Sequence, residues 1–99
     1  MTLRLFLTPR AAREIRRAAE WWSVNRLDAP GAVRTDLKAT LAILREQPGI
    51  GGEVENASSL DVQRFYLDRV KYWVYYRVRR DELQVLSLWH ASRGTDPSV

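Results

Sequence analysis

The chain has 99 residues, enough for one domain, and its 45% hydrophobic and 28% charged residues exclude an intrinsically disordered segment. It contains no cysteine and a single histidine, which excludes disulfides and thiolate metal sites, so we expect no metal and no other cofactor. The formal net charge is +4, and residues 1–50 carry the excess with nine basic and five acidic side chains.

The apolar residues at the start of the chain, MTLRLFLTPR, are too few for a signal peptide, and no apolar run approaches the length of a membrane span. We therefore predict a cytoplasmic protein that does not bind a membrane. A basic surface of this kind can meet an acidic protein, a membrane or a nucleic acid, and charge by itself does not separate these three.

A strand and a helix are predicted first. The segment TLRLFL (2–7) alternates between two faces as a strand does. Thr8 then suits an N-cap and Pro9 the first helical position. An apolar stripe at helical spacing predicts a helix over residues 9 to about 25: Ala11, Ile15, Ala18 and Trp22.

The rest of the chain predicts one more helix and three strands. The second helix runs from about Pro30 to the segment QPGIGG, with an apolar stripe of Val33, Leu37, Leu41 and Leu44. After a loop at 51–61, extended segments at 62–67, 71–78 and 83–91 are joined by short turns, as in consecutive hairpins. We predict a single α+β domain over residues 1–99, with an N-terminal strand, an α-helical hairpin and a three-stranded antiparallel meander, the helices packing on one face of the sheet.

The alternation of side chains along the strands assigns their residues to two faces. The core face, beneath the helices, is predicted to contain Phe65, Leu67, Tyr72, Val74, Tyr76, Val78, Leu86 and Leu88. The opposite face is predicted to contain Val62, Arg64, Tyr66, Trp73, Tyr75, Arg77, Val85, Ser87, Trp89 and Arg93. We expect no other part of the chain to cover this second face. Because Trp, Tyr and Arg dominate binding hot spots, it is a candidate partner surface; the alternative is that its long side chains lie over a thin sheet and reach water.

Two other charged features are candidates. His90, the only histidine, has a suitable ordinary pKa for proton transfer, but alternation groups it with Leu86 and Leu88, which favours a core or rim histidine that hydrogen-bonds locally. The helix segment RAAREIRR presents Arg10, Arg13 and Arg17, either as a solvated face or as a contact for an acidic segment of a partner.

The order of these elements, together with the segment VQRFYLDRVKYWVYYRVRRDELQVLSLWHASRG, resembles the RelE/ParE superfamily of toxins from type II toxin–antitoxin systems. The resemblance covers nearly the whole chain. It implies a cognate antitoxin that forms a hetero-oligomer with the toxin and neutralises it. RelE-like members cleave messenger RNA on the ribosome, whereas ParE-like members poison DNA gyrase.

The residues that RelE-like members use are only partly matched. Arg64 and Arg93 stand at basic positions of the family pattern, but Tyr66 and Trp73 replace two further basic residues, and the C-terminal tyrosine has no counterpart. Cleavage by a 2′-hydroxyl needs a base and an acid in addition to cations. The resemblance therefore favours the ParE-like branch, with no catalytic residues and with partner contacts from Arg64, Tyr66, Trp73, Tyr75, Arg77, Trp89 and Arg93. In the alternative of a ribosome-dependent endoribonuclease, Arg64 and Arg93 would stabilise charge on the RNA. A second alternative is a non-toxic binding module of a repressor complex.

Overall fold

The computed structural model describes residues 2–55, 57 and 61–99, so positions 56 and 58–60 of the predicted loop lie outside the described residues. The described residues form two α-helices, α1 (Pro9–Asn25) and α2 (Ala32–Glu46). The strands are β1 (Arg4–Leu7), β2 (Gly52–Glu53), β3 (Gln63–Leu67), β4 (Tyr72–Arg79) and β5 (Glu82–His90). Short 3₁₀ turns follow α2 at Pro48–Ile50 and β5 at Ala91–Arg93.

The five described strands form one mixed sheet in the order β1-β5-β4-β3-β2. Strands β3, β4 and β5 are the predicted antiparallel meander. The short β2 extends the meander at one edge. At the other edge, β1 runs parallel to β5, with Leu7 opposite Val85. The first strand thereby closes the sheet next to the last one, and the α+β prediction is confirmed with a parallel pair added.

Local sequence signals set the beginnings of the helices. The Thr8 side chain accepts a hydrogen bond from the backbone N–H of Ala11 at 3.1 Å, and Pro9 is the first residue of α1, as predicted. Helix α2 begins at Ala32 rather than near Pro30, because residues 26–31 form turns closed by N–H bonds from Ala29 and Ala32.

The main core lies between the helices and one face of the sheet, and both predicted helical stripes contribute to it. Residues Ala11, Ile15 and Ala18 of α1 are buried, as are Val33, Leu37, Leu41 and Leu44 of α2. The sheet supplies Leu67, Val74, Tyr76, Leu83, Val85 and Leu88. Burial of these side chains is the dominant stabilising term for a domain of this size.

A bulge in the β4–β5 ladder corrects two of the predicted faces. Tyr75 lies opposite Ser87 and Tyr76 lies opposite Val85, so Leu86 is the extra residue on β5. One unpaired residue shifts the alternation, because side chains in a strand have a period of two. Val85 was predicted on the outer face but belongs to the main core, and Leu86 was predicted in the core but packs in a second cluster on the outer face.

Polar contacts hold the helices against the ends of the strands. Glu14 of α1 accepts hydrogen bonds from the Ser87 hydroxyl at 2.7 Å and from the Leu88 N–H at 3.2 Å, where β5 extends past the end of β1. The carboxylate thus gives a hydrogen-bond acceptor to a backbone N–H at the part of the strand edge that β1 does not pair. Arg69, in the β3–β4 turn, makes a two-pronged pair with Asp36 of α2.

Candidate functional site: the outer face of the sheet

The outer face of β3, β4 and β5 carries the predicted aromatic and arginine residues in register. Trp73 lies directly opposite Trp89 on one side and Tyr66 on the other, and Arg64 lies opposite Tyr75. The Tyr66 and Trp73 ring centroids are 4.8 Å apart. We call the set Arg64, Tyr66, Trp73, Tyr75, Trp89 and Arg93 the outer aromatic face.

Guanidinium groups cover both indole rings of this face. The Arg64 guanidinium carbon lies 3.9 Å from the Trp73 ring centroid, and that of Arg93 lies 3.9 Å from the Trp89 centroid. Arg10 of α1 is also near Trp89, at 5.7 Å. Each is within the range of a cation–π contact. The paired positions of the two tryptophans therefore place two arginine–indole pairs side by side.

The prediction that nothing else in the chain covers this face is wrong. A second buried cluster forms there from Val54, Val62 and Tyr75, with Ala57, Trp73, Leu86, Trp89 and Val99 packed around it. The covering residues come from the segment before β3 and from the segment after Gly94. Apolar side chains on this face gain burial from both segments, since a sheet with helices on one side otherwise leaves its other side wet.

Among the described residues, side chains of the sheet and of α1 hold the segment after Gly94. The Trp89 indole N–H donates to the Thr95 carbonyl at 2.8 Å, and Arg10 donates to the Ser98 carbonyl at 2.6 Å. Arg64 and the Tyr75 hydroxyl both donate to the same oxygen of Asp96, at 3.0 and 2.5 Å. Pro97, between these contacts, is buried.

Tyr75 was predicted to contact a partner, but the structure buries it completely. Burial, with the hydrogen bond to Asp96, raises the pKa of Tyr75, although Arg64 acts in the opposite direction. The hydroxyl therefore stays protonated and serves as a hydrogen-bond donor to the carboxylate. Ser87, which was also predicted on the outer face, is fully buried, and its hydroxyl donates to Glu14.

The predicted partner residues do not all meet in one place. A cleft of about 370 Å³ brings together Arg64, Trp73, Tyr75 and Trp89 with the Gly94–Asp96 segment. Tyr66 extends this group through its contact with Trp73. Arg77 lies apart, where it donates to Gln84 at 2.9 Å in a polar depression near the β4–β5 turn.

His90 is at the rim, where it bonds locally as the sequence favoured. Its Nδ1 lies 2.7 Å from the Ser92 hydroxyl and accepts from the Ser92 N–H at 3.1 Å. Its ring stands edge-on to Tyr72, 4.8 Å between centroids. Both residues line a small cleft beside α1 with Arg17 and Arg93. Arg93 thus lies at the boundary between the outer aromatic face and the helical side.

The three arginines of α1 that were predicted as a contact face differ in their surroundings. Arg10 is half-buried and engaged by Glu14 at 3.5 Å, by the Ser98 carbonyl and by Trp89. Arg13 and Arg17 are exposed and available for a partner. Only the latter two retain the character predicted for a contact face.

Sequence reasoning missed two features of the surface. The first is Asp96, whose signal was an acidic residue between a glycine turn and a proline in GTDPSV. The second is an apolar groove of about 450 Å³ between β1 and α2, with Leu5, Leu7 and Leu41 among its apolar residues. Its basic lining residues are Arg34, Lys38 and Arg45. In the sequence, Leu5 and Leu7 belong only to the alternation in residues 2–7 that predicts a strand.

Within residues 2–55, 57 and 61–99, no group of three or more acidic or histidine side chains is arranged to hold a metal ion. In the same residues no helix is long and apolar enough to cross a membrane.

A family model described as the ParE toxin of type II toxin–antitoxin systems, parDE, matches residues 5–94. The chain belongs to the ParE toxin family. Among solved structures, it is similar to a chain of the chromosomal ParDE toxin–antitoxin system from P. aeruginosa, with a TM-score of 0.70 and 20% sequence identity. The similarity covers 90% of this chain and 96% of the other. No curated protein sequence matches the chain.

The ParE family match runs from the second residue of β1 to the end of the 3₁₀ turn after β5. It therefore includes both helices, the meander and all six residues of the outer aromatic face, of which Arg93 lies near the end of the match. The segment Thr95–Val99, which covers that face, lies beyond the matched residues.

Proposed function

We propose that this ParE-family toxin acts by binding a cellular protein rather than by catalysis, and that its target is DNA gyrase, as the family resemblance implies. The observation that carries the proposal is the chemistry of the outer aromatic face. Its cations are arginines, which do not exchange protons near neutral pH. Tyr75 is buried with a raised pKa, and His90 lies at the rim beside Tyr72. An arrangement of this kind favours binding over transfer of a proton to or from RNA.

Gyrase inhibition is tested with the purified chain in a supercoiling assay. We expect loss of supercoiling and accumulation of cleaved DNA complexes with increasing toxin. Full gyrase activity at excess toxin would contradict the proposal. A ribosome-bound message incubated with the same preparation provides the comparison, and cuts within codons would support the endoribonuclease alternative instead.

The Arg93→Ala variant tests whether the outer aromatic face contacts the target. Arg93 is exposed and its main contact is with Trp89, so its removal should cost about 0.5–1 kcal/mol of stability. We expect weaker gyrase inhibition, with a melting temperature lowered by only about 2–8 °C. Arg16→Ala, at an exposed helix arginine, is the matched control and should inhibit like the unmodified chain. Equal inhibition by both variants would refute a role for Arg93.

We further propose that an acidic antitoxin neutralises the toxin and contacts Arg13 and Arg17. The similar solved chain comes from a ParDE toxin–antitoxin system, which supports an antitoxin partner. Both arginines are exposed on the first helix, where bidentate pairing with carboxylates is available.

The test of the antitoxin contact uses the protein encoded by the adjacent reading frame as the candidate antitoxin. We expect Arg13→Glu combined with Arg17→Glu to weaken the complex at least tenfold, and Arg16→Glu to have a much smaller effect. Identical affinities for the double variant and the control would remove these arginines from the interface.

A further inference from the structure

The segment Thr95–Val99 lies on the outer aromatic face as a bound peptide would. It has no place in the strand order of the sheet, and side chains of the sheet and of α1 hold it instead. Trp89 and Arg10 donate to the carbonyls of Thr95 and Ser98, and these two bonds hold the backbone without selecting a side chain. Between these two carbonyls, Arg64 and Tyr75 bind the Asp96 carboxylate, which selects an acidic residue.

The geometry at Asp96 is that of a built anion site. Two donors converge on one carboxylate oxygen, and the Tyr75 residue that supplies one of them is fully buried. Arg64 is itself oriented by its contact with Trp73 at 3.9 Å. Donors that are held in place before a ligand arrives lose little conformational entropy on binding.

We propose that the outer aromatic face is a receptor for an acidic peptide segment of a partner protein, and that Thr95–Val99 occupies it as an internal ligand in the free chain. The proposal rests on the proposed function, in which this face binds a protein. Gly94 permits the arrangement, because its φ of 74° turns the chain back over the sheet after the 3₁₀ turn.

The contacts favour a peptide over RNA as the external ligand. Single-stranded RNA is bound by bare aromatic rings on which bases stack and by cations that follow the phosphates. Here the faces of Trp73 and Trp89 are in contact with Arg64 and Arg93. Two of the four donors bind neutral backbone carbonyls rather than anions.

An internal ligand weakens binding of an external one. A short tether gives the tail an effective concentration on the order of millimolar, with which an external segment must compete. Removal or weakening of the tail is therefore expected to raise the affinity for an acidic peptide, with Arg64 required for the gain.

The test uses a chain that lacks residues 95–99 and a synthetic peptide that copies residues 94–99. Binding is followed through the indole N–H resonances of ¹⁵N-labelled protein. We expect the peptide to return the Trp89 indole resonance of the shortened chain to its position in the intact chain. A peptide with asparagine in place of the aspartate should bind about tenfold more weakly, since it loses the charge-assisted bonds. The intact chain should bind the first peptide at least several-fold more weakly than the shortened chain does.

The full-length Asp96→Asn variant provides the same test without truncation, should the shortened chain fail to fold. It should bind the acidic peptide more tightly than the intact chain, and Arg64→Ala added to it should abolish the gain. No peptide binding by a folded shortened chain, equal binding of both peptides, or an indole shift caused by a short single-stranded RNA in place of the peptide would overturn the proposal.

These outcomes are separate from those of the gyrase assay. Gyrase inhibition by the intact chain together with no peptide binding would remove only the internal-ligand proposal. Peptide binding without gyrase inhibition would instead support the proposal that the outer aromatic face is a receptor, and would refute gyrase as the target.

Discussion

The Tyr76→Phe variant tests how the loop after α2 is fastened to the sheet beneath the site. The Tyr76 side chain is fully buried, and its hydroxyl donates to the Pro48 carbonyl at 2.6 Å and accepts from the Gly51 N–H at 3.1 Å. Gly51 precedes β2, whose Gly52 pairs with Arg64 on β3. Removal of one oxygen atom therefore removes two hydrogen bonds that connect the loop after α2 to β4.

The magnitude follows from those two bonds. A buried hydrogen bond contributes about 0.5–1.5 kcal/mol, and a partner left unpaired costs more, so we expect a loss of about 1–3 kcal/mol. Because Pro48 and Gly51 are only half-buried, water can bond to the groups left unpaired, which limits the loss of stability to this range. For a domain of this length each kcal/mol lowers the melting temperature by about 4–8 °C.

Urea denaturation followed by circular dichroism measures this free energy of unfolding. Tyr66→Phe is the matched control, because Tyr66 is a half-buried tyrosine of the same sheet whose hydroxyl has no hydrogen-bond partner in the described part of the chain. We expect the control to change stability by less than about 0.5 kcal/mol. Equal stabilities of the two variants would refute the reasoning that the Tyr76 hydroxyl fastens the loop.

Three further predictions concern the core, the same loop and pH. Leu41→Ala, at a buried core position of α2, should lower the free energy of unfolding by about 2–5 kcal/mol, and an unchanged melting temperature would contradict its place in the core. Gly51→Ala should destabilise the fold because an added Cβ would overlap the Tyr76 hydroxyl, and thermal melts in which it matches Gly49→Ala, where the space is open, would contradict this. Burial raises the pKa of Tyr76 and Tyr72 above the ordinary value near 10, so above that pH the folded state keeps protons that the unfolded state loses. The free energy of unfolding should therefore be fully present below about pH 10 and fall as the pH rises further. Urea denaturation curves that show a rise in stability above about pH 10 would contradict this direction.

Much of the fold could be predicted because its signals are local. Thr8 is an N-cap and Pro9 suits the first helical position, so these two residues indicate where α1 begins. The apolar stripes of both helices recur at helical spacing in the sequence. The turns between β3, β4 and β5 are short, so neighbouring segments pair as hairpins. The order of elements also carries the resemblance to the ParE toxin family, which the match over residues 5–94 confirms.

The candidate site could be predicted only in part, because its exposure depends on contacts between distant residues. Alternation placed Trp73 and Arg64 on the outer face, where the structure has them in contact. Alternation could not predict the bulge at Leu86, because one unpaired residue moves the side chains that follow to the opposite face and leaves no local signal in the sequence. Nor could it show that Asp96 would return to Tyr75 across 21 positions of the chain.

The sequence by itself determined the identity and order of the helices and strands, since periodicity, capping and turn length act over a few neighbouring residues. Only the tertiary structure decided that β1 pairs in parallel with β5, that the outer aromatic face is covered, and that Arg64 meets a carboxylate of its own chain. These features arise from contacts between residues far apart in the chain, where closing the intervening segment costs entropy that only the assembled core and sheet can offset.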